Sequence, residues 1–153
     1  MSKWSVFSLF SISLSDFYYC GNICEFYIIY RKGMSVETKQ SNPYLDQELL
    51  QGYLNRLGKT IVEQMFTLYC QQVDIYLNDI ESAQLNDSLS GWQEHCHKMK
   101  GAAASVGMYQ LHGQLKLLEK TEVSKEKKSV LLKELRLSNK QAILAFKNWL
   151  KSI

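Results

Sequence analysis

Proline is nearly missing from this sequence of 153 residues: there is one, Pro43, and only eight glycines accompany it. So few breakers leave room for long uninterrupted helices. Long hydrophobic runs are missing as well. In the most apolar part, residues 1–33, the longest uncharged run is Trp4 to Ser15, and Asp16 and Glu25 break up the apolar residues beyond it. That falls short of the roughly 18 residues a membrane span needs. The four cysteines, Cys20, Cys24, Cys70 and Cys96, form no CxxC pair. No recognisable signal sequence sets them in an oxidising compartment, so they read as buried or incidental thiols rather than a zinc site or disulfide framework. A glycine-rich phosphate loop and a Walker pattern are both absent, which argues against direct use of ATP. Strand-type alternation is absent after residue 45, and neither an internal repeat nor a low-complexity stretch occurs.

What is present is the balance of a globular chain, 46% hydrophobic and 22% charged, with enough length for one domain. The net charge of +3 hides an asymmetry. Met34 to His97 holds three basic and nine acidic residues; Lys98 to the end holds twelve basic and four acidic ones. Residues 1–33 differ from both. Nine of the eighteen aromatics lie there. Lys3 and the apolar run after it loosely resemble a signal peptide, but no small-x-small cleavage site comes after them. The polar stretch MSVETKQSNP then reads like a cytoplasmic start. The expectation is that the natural protein begins at Met34 and is cytoplasmic, with residues 1–33 an extension that is not part of the fold. A membrane-associated segment is the other reading of that stretch.

From residue 44 onward the pattern is helical. Asp46 can cap a short helix, DQELLQGYLNRL, that stops at Gly58. In the next stretch Val62, Met65, Tyr69, Val73, Tyr76 and Ile80 recur at helical spacing. Asp87 is a plausible N-cap for a third stretch, whose Leu89, Trp92, Cys96, Met99, Ala103 and Val106 fall at alternating steps of three and four. Gly107 ends it. Met108, Leu111, Leu115 and Leu118 mark a fourth. A fifth, after a polar turn near Ser124, shows Leu131, Leu135, Ala142, Ala145 and Trp149 on one face. The reading is all-α: an antiparallel up-down four-helix bundle over residues 44–153, with a short extra helix at its N-terminal side.

The third stretch holds HKMKG, residues 97–101. If its apolar stripe faces the core, His97 points outward, with Lys100, Gly101 and Ala104 on the same face. Helical side chains lean toward the N-terminus, so a large residue at 101 would cover the imidazole; glycine leaves it accessible. Counting along the two arms from the turn at Gly107 and Met108, His97 and Glu119 sit at matching heights, each roughly 15 Å away. A carboxylate there can accept a hydrogen bond from one ring nitrogen, fix the tautomer and leave the other nitrogen nucleophilic. His95 is the rival histidine, but it lies beside the core stripe. His95 and His97 point about 200° apart and cannot grip one ion together, so no metal site is expected. Lys98, Lys100, Lys116 and Lys120 form a basic patch, read either as a solvated face or as steering toward an acidic partner. Aromatics do not interleave with these lysines, which argues against nucleic acid. Tyr53 and Leu54 serve as core cover or partner contacts, and Ala102 and Ala104 as small exposed residues that let a partner approach.

These residues carry a resemblance. HKMKGAAASVG followed by LHGQLKLLE is similar to the ArcB-type histidine phosphotransfer (HPt) domain of bacterial phosphorelays. The signature is a histidine, Lys-Gly at +3 and +4, glycine at +10, and leucines leading to an acidic or amide residue at +22: His97, Lys100, Gly101, Gly107, Leu111, Leu118 and Glu119. LLQGYLNRLGKTIVEQMFTLY is similar as well, so the likeness spans about residues 44–153. Gln114 departs from it, a leucine being commoner there. The resemblance implies a monomeric phosphocarrier rather than an enzyme. His97 would accept a phosphoryl group from, and return it to, aspartates of response-regulator receiver domains, with a hybrid sensor kinase as a further partner. Lys100, Gly101 and Glu119 would serve the chemistry, and Lys98, Ala104, Tyr53, Leu54 and Lys116 the docking. It implies no cofactor on this chain; the magnesium ion belongs to the receiver. A helical adaptor that binds partners without phosphorylation, and a metal or redox module using the cysteines, are the competing readings.

Overall fold

The computed structural model describes residues 42–153. The expectations about residues 1–33 and the start at Met34 lie outside the described residues. Five helices occur in order: α1 (Gln47–Leu57), α2 (Lys59–Leu85), α3 (Leu89–Ser105), α4 (Tyr109–Leu118) and α5 (Lys125–Ser152). No strand occurs among the described residues. α2 packs against α3 and α5, and α4 closes the ring by packing against the same two, while α1 lies on α2. This is the expected antiparallel bundle with a short additional helix.

Local chemistry sets the boundaries. Asp46 caps α1, its carboxylate accepting from the Leu49 N–H at 3.0 Å. Gly58, at φ +82°, ends α1 and starts α2 with no intervening loop. That left-handed backbone suits glycine best. Gly107, also left-handed at φ +69°, lies in the middle of the three-residue turn between α3 and α4. A Cβ there would also meet Leu50 Cγ at 3.1 Å, and the Gly107 carbonyl accepts the Asp46 N–H at 2.8 Å. One turn thus ties α1 to the hairpin that carries the site.

The N-cap of α3 is corrected by one residue. Ser88, not Asp87, caps it, accepting from the Gly91 N–H at 3.1 Å. Asp87 takes a left-handed conformation, φ +50°, in the turn before it. The core is led by Trp92, Phe146, Leu45, Leu50, Ile80 and Met99. Two stripes rotate slightly from their sequence reading. On α2, Phe66 and Leu77 are buried, and Met65 and Tyr76 only partly. On α5, Leu132 and Phe146 are buried, and Leu131, Ala145 and Trp149 only partly. On α5 the buried line also takes in two polar residues. Asn139 is buried and accepts a hydrogen bond from the Tyr69 hydroxyl at 2.7 Å. Lys128 is also buried, its ammonium 5.6 Å from the centre of the Trp92 ring. Leu89, expected in the core, is exposed in the first turn of α3.

Candidate functional site

Two helices meet at His97. It lies midway along α3, with Trp92, Cys96, Met99 and Ala103 of the same helix wholly buried beneath it. Its side chain retains 42% exposure. Glu119 is the C-cap residue of α4, and Lys100 lies one turn along α3 from the histidine.

Glu119 Oε1 is 2.6 Å from His97 Nδ1. Its other oxygen, Oε2, accepts a hydrogen bond from Lys100 Nζ. The Lys100 ammonium also approaches Nδ1 at 3.3 Å. An ammonium has no acceptor capacity, so Nδ1 cannot satisfy both neighbours. The shorter contact, to a carboxylate, makes Nδ1–H the donor and Lys100 the partner of Glu119 alone. In the neutral ring this is the Nδ1–H tautomer. Nε2 keeps its lone pair and has no hydrogen-bond partner among the described residues. Burial works to raise the Glu119 carboxyl, but hydrogen bonds from Lys100 and His97 and their charges outweigh it and hold the group below its ordinary value. The carboxylate is therefore ionised at neutral pH, as the tautomer argument requires.

The position of Glu119 is fixed by a contact that helical spacing alone does not reveal. Trp92 Nε1 donates to the Leu118 carbonyl at 2.8 Å. A buried indole must place its N–H somewhere, and here it grips the last turn of α4 at the residue before the carboxylate. Lys128 covers the same ring. The signal was present in the Trp at a stripe position, but which carbonyl it finds depends on helix packing.

The other residues expected at the site divide. Gly101 adjoins it and is itself buried. Ala104 is corrected from exposed to buried, 3% accessible, because the close approach of α4 covers that side of α3. Ala102 is partly exposed. Lys98 leaves the cluster, pairing with Glu94 one turn back at 2.6 Å. Lys116 is exposed on α4. Tyr53 and Leu54 are partly buried against the core on α1. His95 turns to the opposite side of α3, its Nδ1 3.9 Å from Asp79 Oδ2 on α2. The Cys96 thiol is pushed up to about 12, by burial first and by Glu119 second, with Lys128 opposing; at neutral pH it is no thiolate. No group of three metal-ligating side chains occurs among the described residues.

Against known proteins, residues 64–145 match the family described as Hpt domain. Over 75 residues, 49% of this chain, the sequence is 32% identical to the aerobic respiration control sensor protein ArcB of Escherichia coli O157:H7. The match takes in 10% of that relative's length. Among solved structures, the histidine-containing phosphotransfer domain of ArcB from Escherichia coli superposes with a TM-score of 0.65 at 22% identity. It covers 71% of this chain and 94% of that domain.

Proposed function

The chain belongs to the Hpt domain family, and from that premise we propose that His97 is a phosphoacceptor in a two-component phosphorelay. It accepts a phosphoryl group from an aspartyl phosphate of one receiver domain and passes it to the aspartate of another. The observation that carries this reading is the 2.6 Å contact between Glu119 Oε1 and His97 Nδ1, which occupies one ring nitrogen of a side chain that is 42% exposed and leaves Nε2 as the nucleophile.

The step can be written from that geometry. Nε2 attacks phosphorus as the acyl-phosphate P–O bond breaks. The receiver's carboxylate leaves with the bonding pair, and the ring gains positive charge. Glu119 stabilises that charge through Nδ1–H. Transfer of this kind depends on positioning and neutralisation of the phosphoryl oxygens more than on covalent help from the protein. Lys100, only 14% exposed and paired with Glu119, is close enough to turn its ammonium toward those oxygens. Reversal of the step loads the next receiver. The magnesium ion is expected on the receiver. Lys116 and the exposed side of α4 would steer the acidic receiver pocket, and Lys98 would contribute field rather than contact. We further propose that the domain acts as a cytoplasmic monomer; no helix among the described residues is long and apolar enough to cross a membrane.

Incubation with a receiver domain carrying radiolabelled aspartyl phosphate tests the reading. Acid-labile, alkali-stable label on this chain, lost in His97→Gln, is expected. Label retained by that variant, or no label on the wild-type chain with any receiver of its source cell, would overturn it.

A further inference from the structure

The last helix presents a second surface. α5 holds eight basic residues against two acidic ones, Glu126 and Glu134, whereas α2 holds one basic against four acidic. On the outer face of α5, Val130, Leu137 and Leu144 are 55%, 58% and 60% exposed. Recurring every seven residues, they stack in one line, about 21 Å long at 1.5 Å per residue. Lys133, Lys140 and Lys147 recur with the same period roughly 60° to one side, and Lys151 extends the row. All four lysines are exposed, and none makes an ion pair among the described residues. Toward its C-terminal end the aliphatic line enters a groove of about 530 Å³ between residues 42–47 and α5, half of its lining apolar or aromatic, with Tyr44, Leu144 and Trp149, and half polar, with Gln141 and Asn148.

Single exposed leucines are ordinary. Three aliphatic side chains in register, running into a groove with two aromatic walls and a polar remainder and flanked on one side by lysines without ion pairs, match the way an amphipathic helix is received. We propose that the outer face of α5 docks an acidic amphipathic helix of a partner protein. Its apolar residues lie along Val130, Leu137 and Leu144, its end enters the Pro43, Tyr44 and Trp149 groove, and its carboxylates meet Lys133, Lys140 and Lys147. Two other occupants fit the charges less well. An anionic bilayer would also face the seam beside α2, where Glu81 pairs with Arg136 at 2.9 Å and Asp74 lies near Cys70. A second copy packed antiparallel about Leu137 would set Lys133 against Lys140 of its mate. A helix is narrow enough to meet the lysine row and avoid the acidic seam.

The surface leaves the phosphoacceptor side open. α5 packs on α2 and α4, while His97 projects from α3 beside Glu119. A partner held here would keep the domain in place while a receiver engages His97. The α5 surface is independent of the role of His97, and a transfer assay run in parallel separates them.

The probe is a labelled helical peptide with three leucines spaced seven residues apart and glutamates on both flanks, titrated into the full chain at low salt. Saturable binding is expected, with amide shifts confined to residues 43–47 and 130–152. Leu137→Glu should weaken it at least tenfold. Lys140→Glu should weaken it several-fold and flatten its salt dependence. Thermal melts establish that both variants are folded, and Val130→Glu stands in if either is not. Failure of the peptide to bind overturns the proposal, as does equal binding by folded Leu137→Glu. Shifts centred on His97, or self-association or binding to phosphatidylglycerol vesicles that Leu137→Glu abolishes while the peptide does not compete, would also overturn it.

Discussion

His95 and His97 stand two residues apart on one rigid helix and meet opposite fates. His97 faces α4, where a carboxylate takes its Nδ1 at 2.6 Å and a lysine holds that carboxylate. His95 faces α2, where its Nδ1 is buried without a hydrogen-bond partner and the nearest carboxylate oxygen, on Asp79, is 3.9 Å away. The stripe of α3 and Lys100 on the same helix already set the two apart, and the neighbouring helices complete the difference. A nucleophilic histidine is one whose far nitrogen is held and whose near nitrogen is wet. His95 lacks the first of these.

The sharpest way to break this contrast is to exchange the side chains for glutamine. His97→Gln should reduce label from a phospho-receiver to background, at least a thousandfold, with an unchanged melting temperature. His95→Gln should keep most of the wild-type rate. Equal loss in both variants would mean that the two faces of α3 are not chemically distinct.

Glu119 is what separates the two histidines, so its removal should blur them. Glu119→Ala is expected to slow transfer by about ten- to a hundredfold, the range for losing a group that orients a reactive imidazole. Glu119→Gln keeps an acceptor for Nδ1–H and should lose less. The same residue gives the site a pH dependence of stability. Its folded carboxyl lies below the usual value of about 4.3, so the ionised form is favoured by folding. The resulting stabilisation is fully present above that usual value and is lost as pH falls through the lower folded value. Denaturation of wild type and Glu119→Gln between pH 7 and pH 3 should show the two converging at the acid end. Parallel curves would mean that the carboxylate is not held by Lys100 and His97.

Gly101 tests access to the wet nitrogen. Gly101→Gln removes a helix-interior glycine, which alone would raise stability by about 1 kcal/mol. Because Gly101 is buried, crowding that typically costs about 1–3 kcal/mol opposes the gain. The expected outcome is a folded protein with a somewhat lower melting temperature and transfer slowed roughly tenfold. An unchanged rate would give the glycine a packing role only.

Legibility in the sequence divides in the same way, between a helix and its neighbours. The stripe on α3 was readable because Trp92, Cys96, Met99 and Ala103 are apolar at regular steps and are all wholly buried. Counting residues on the two arms of the hairpin also put Glu119 at the right height. What escaped needed the third dimension. Asn139 and Lys128 are polar and add nothing to an apolar stripe read along α5, so the buried line shifted onto Leu132 and Phe146. Ala104 read as open because α3 alone does not reveal how closely α4 approaches. The orphaned nitrogen of His95 and the grip of Trp92 on the Leu118 carbonyl are properties of two helices, which no single periodicity contains.

The smallest expected effect concerns His95 itself. A buried nitrogen without a partner typically costs about 1–3 kcal/mol relative to a satisfied or apolar replacement. The side chain is 26% exposed, which reduces that figure. His95→Leu should therefore raise stability at pH 7 by no more than about 1 kcal/mol, which for a domain of this size is roughly 4 °C in melting temperature. Phosphotransfer through His97 should be unaffected, since the substitution lies on the opposite side of α3. A lower melting temperature at pH 7 would show that His95 is satisfied in solution, through Asp79 or a bridging water. In that event both faces of the helix would hold their histidines, and only the carboxylate and lysine of one would distinguish them.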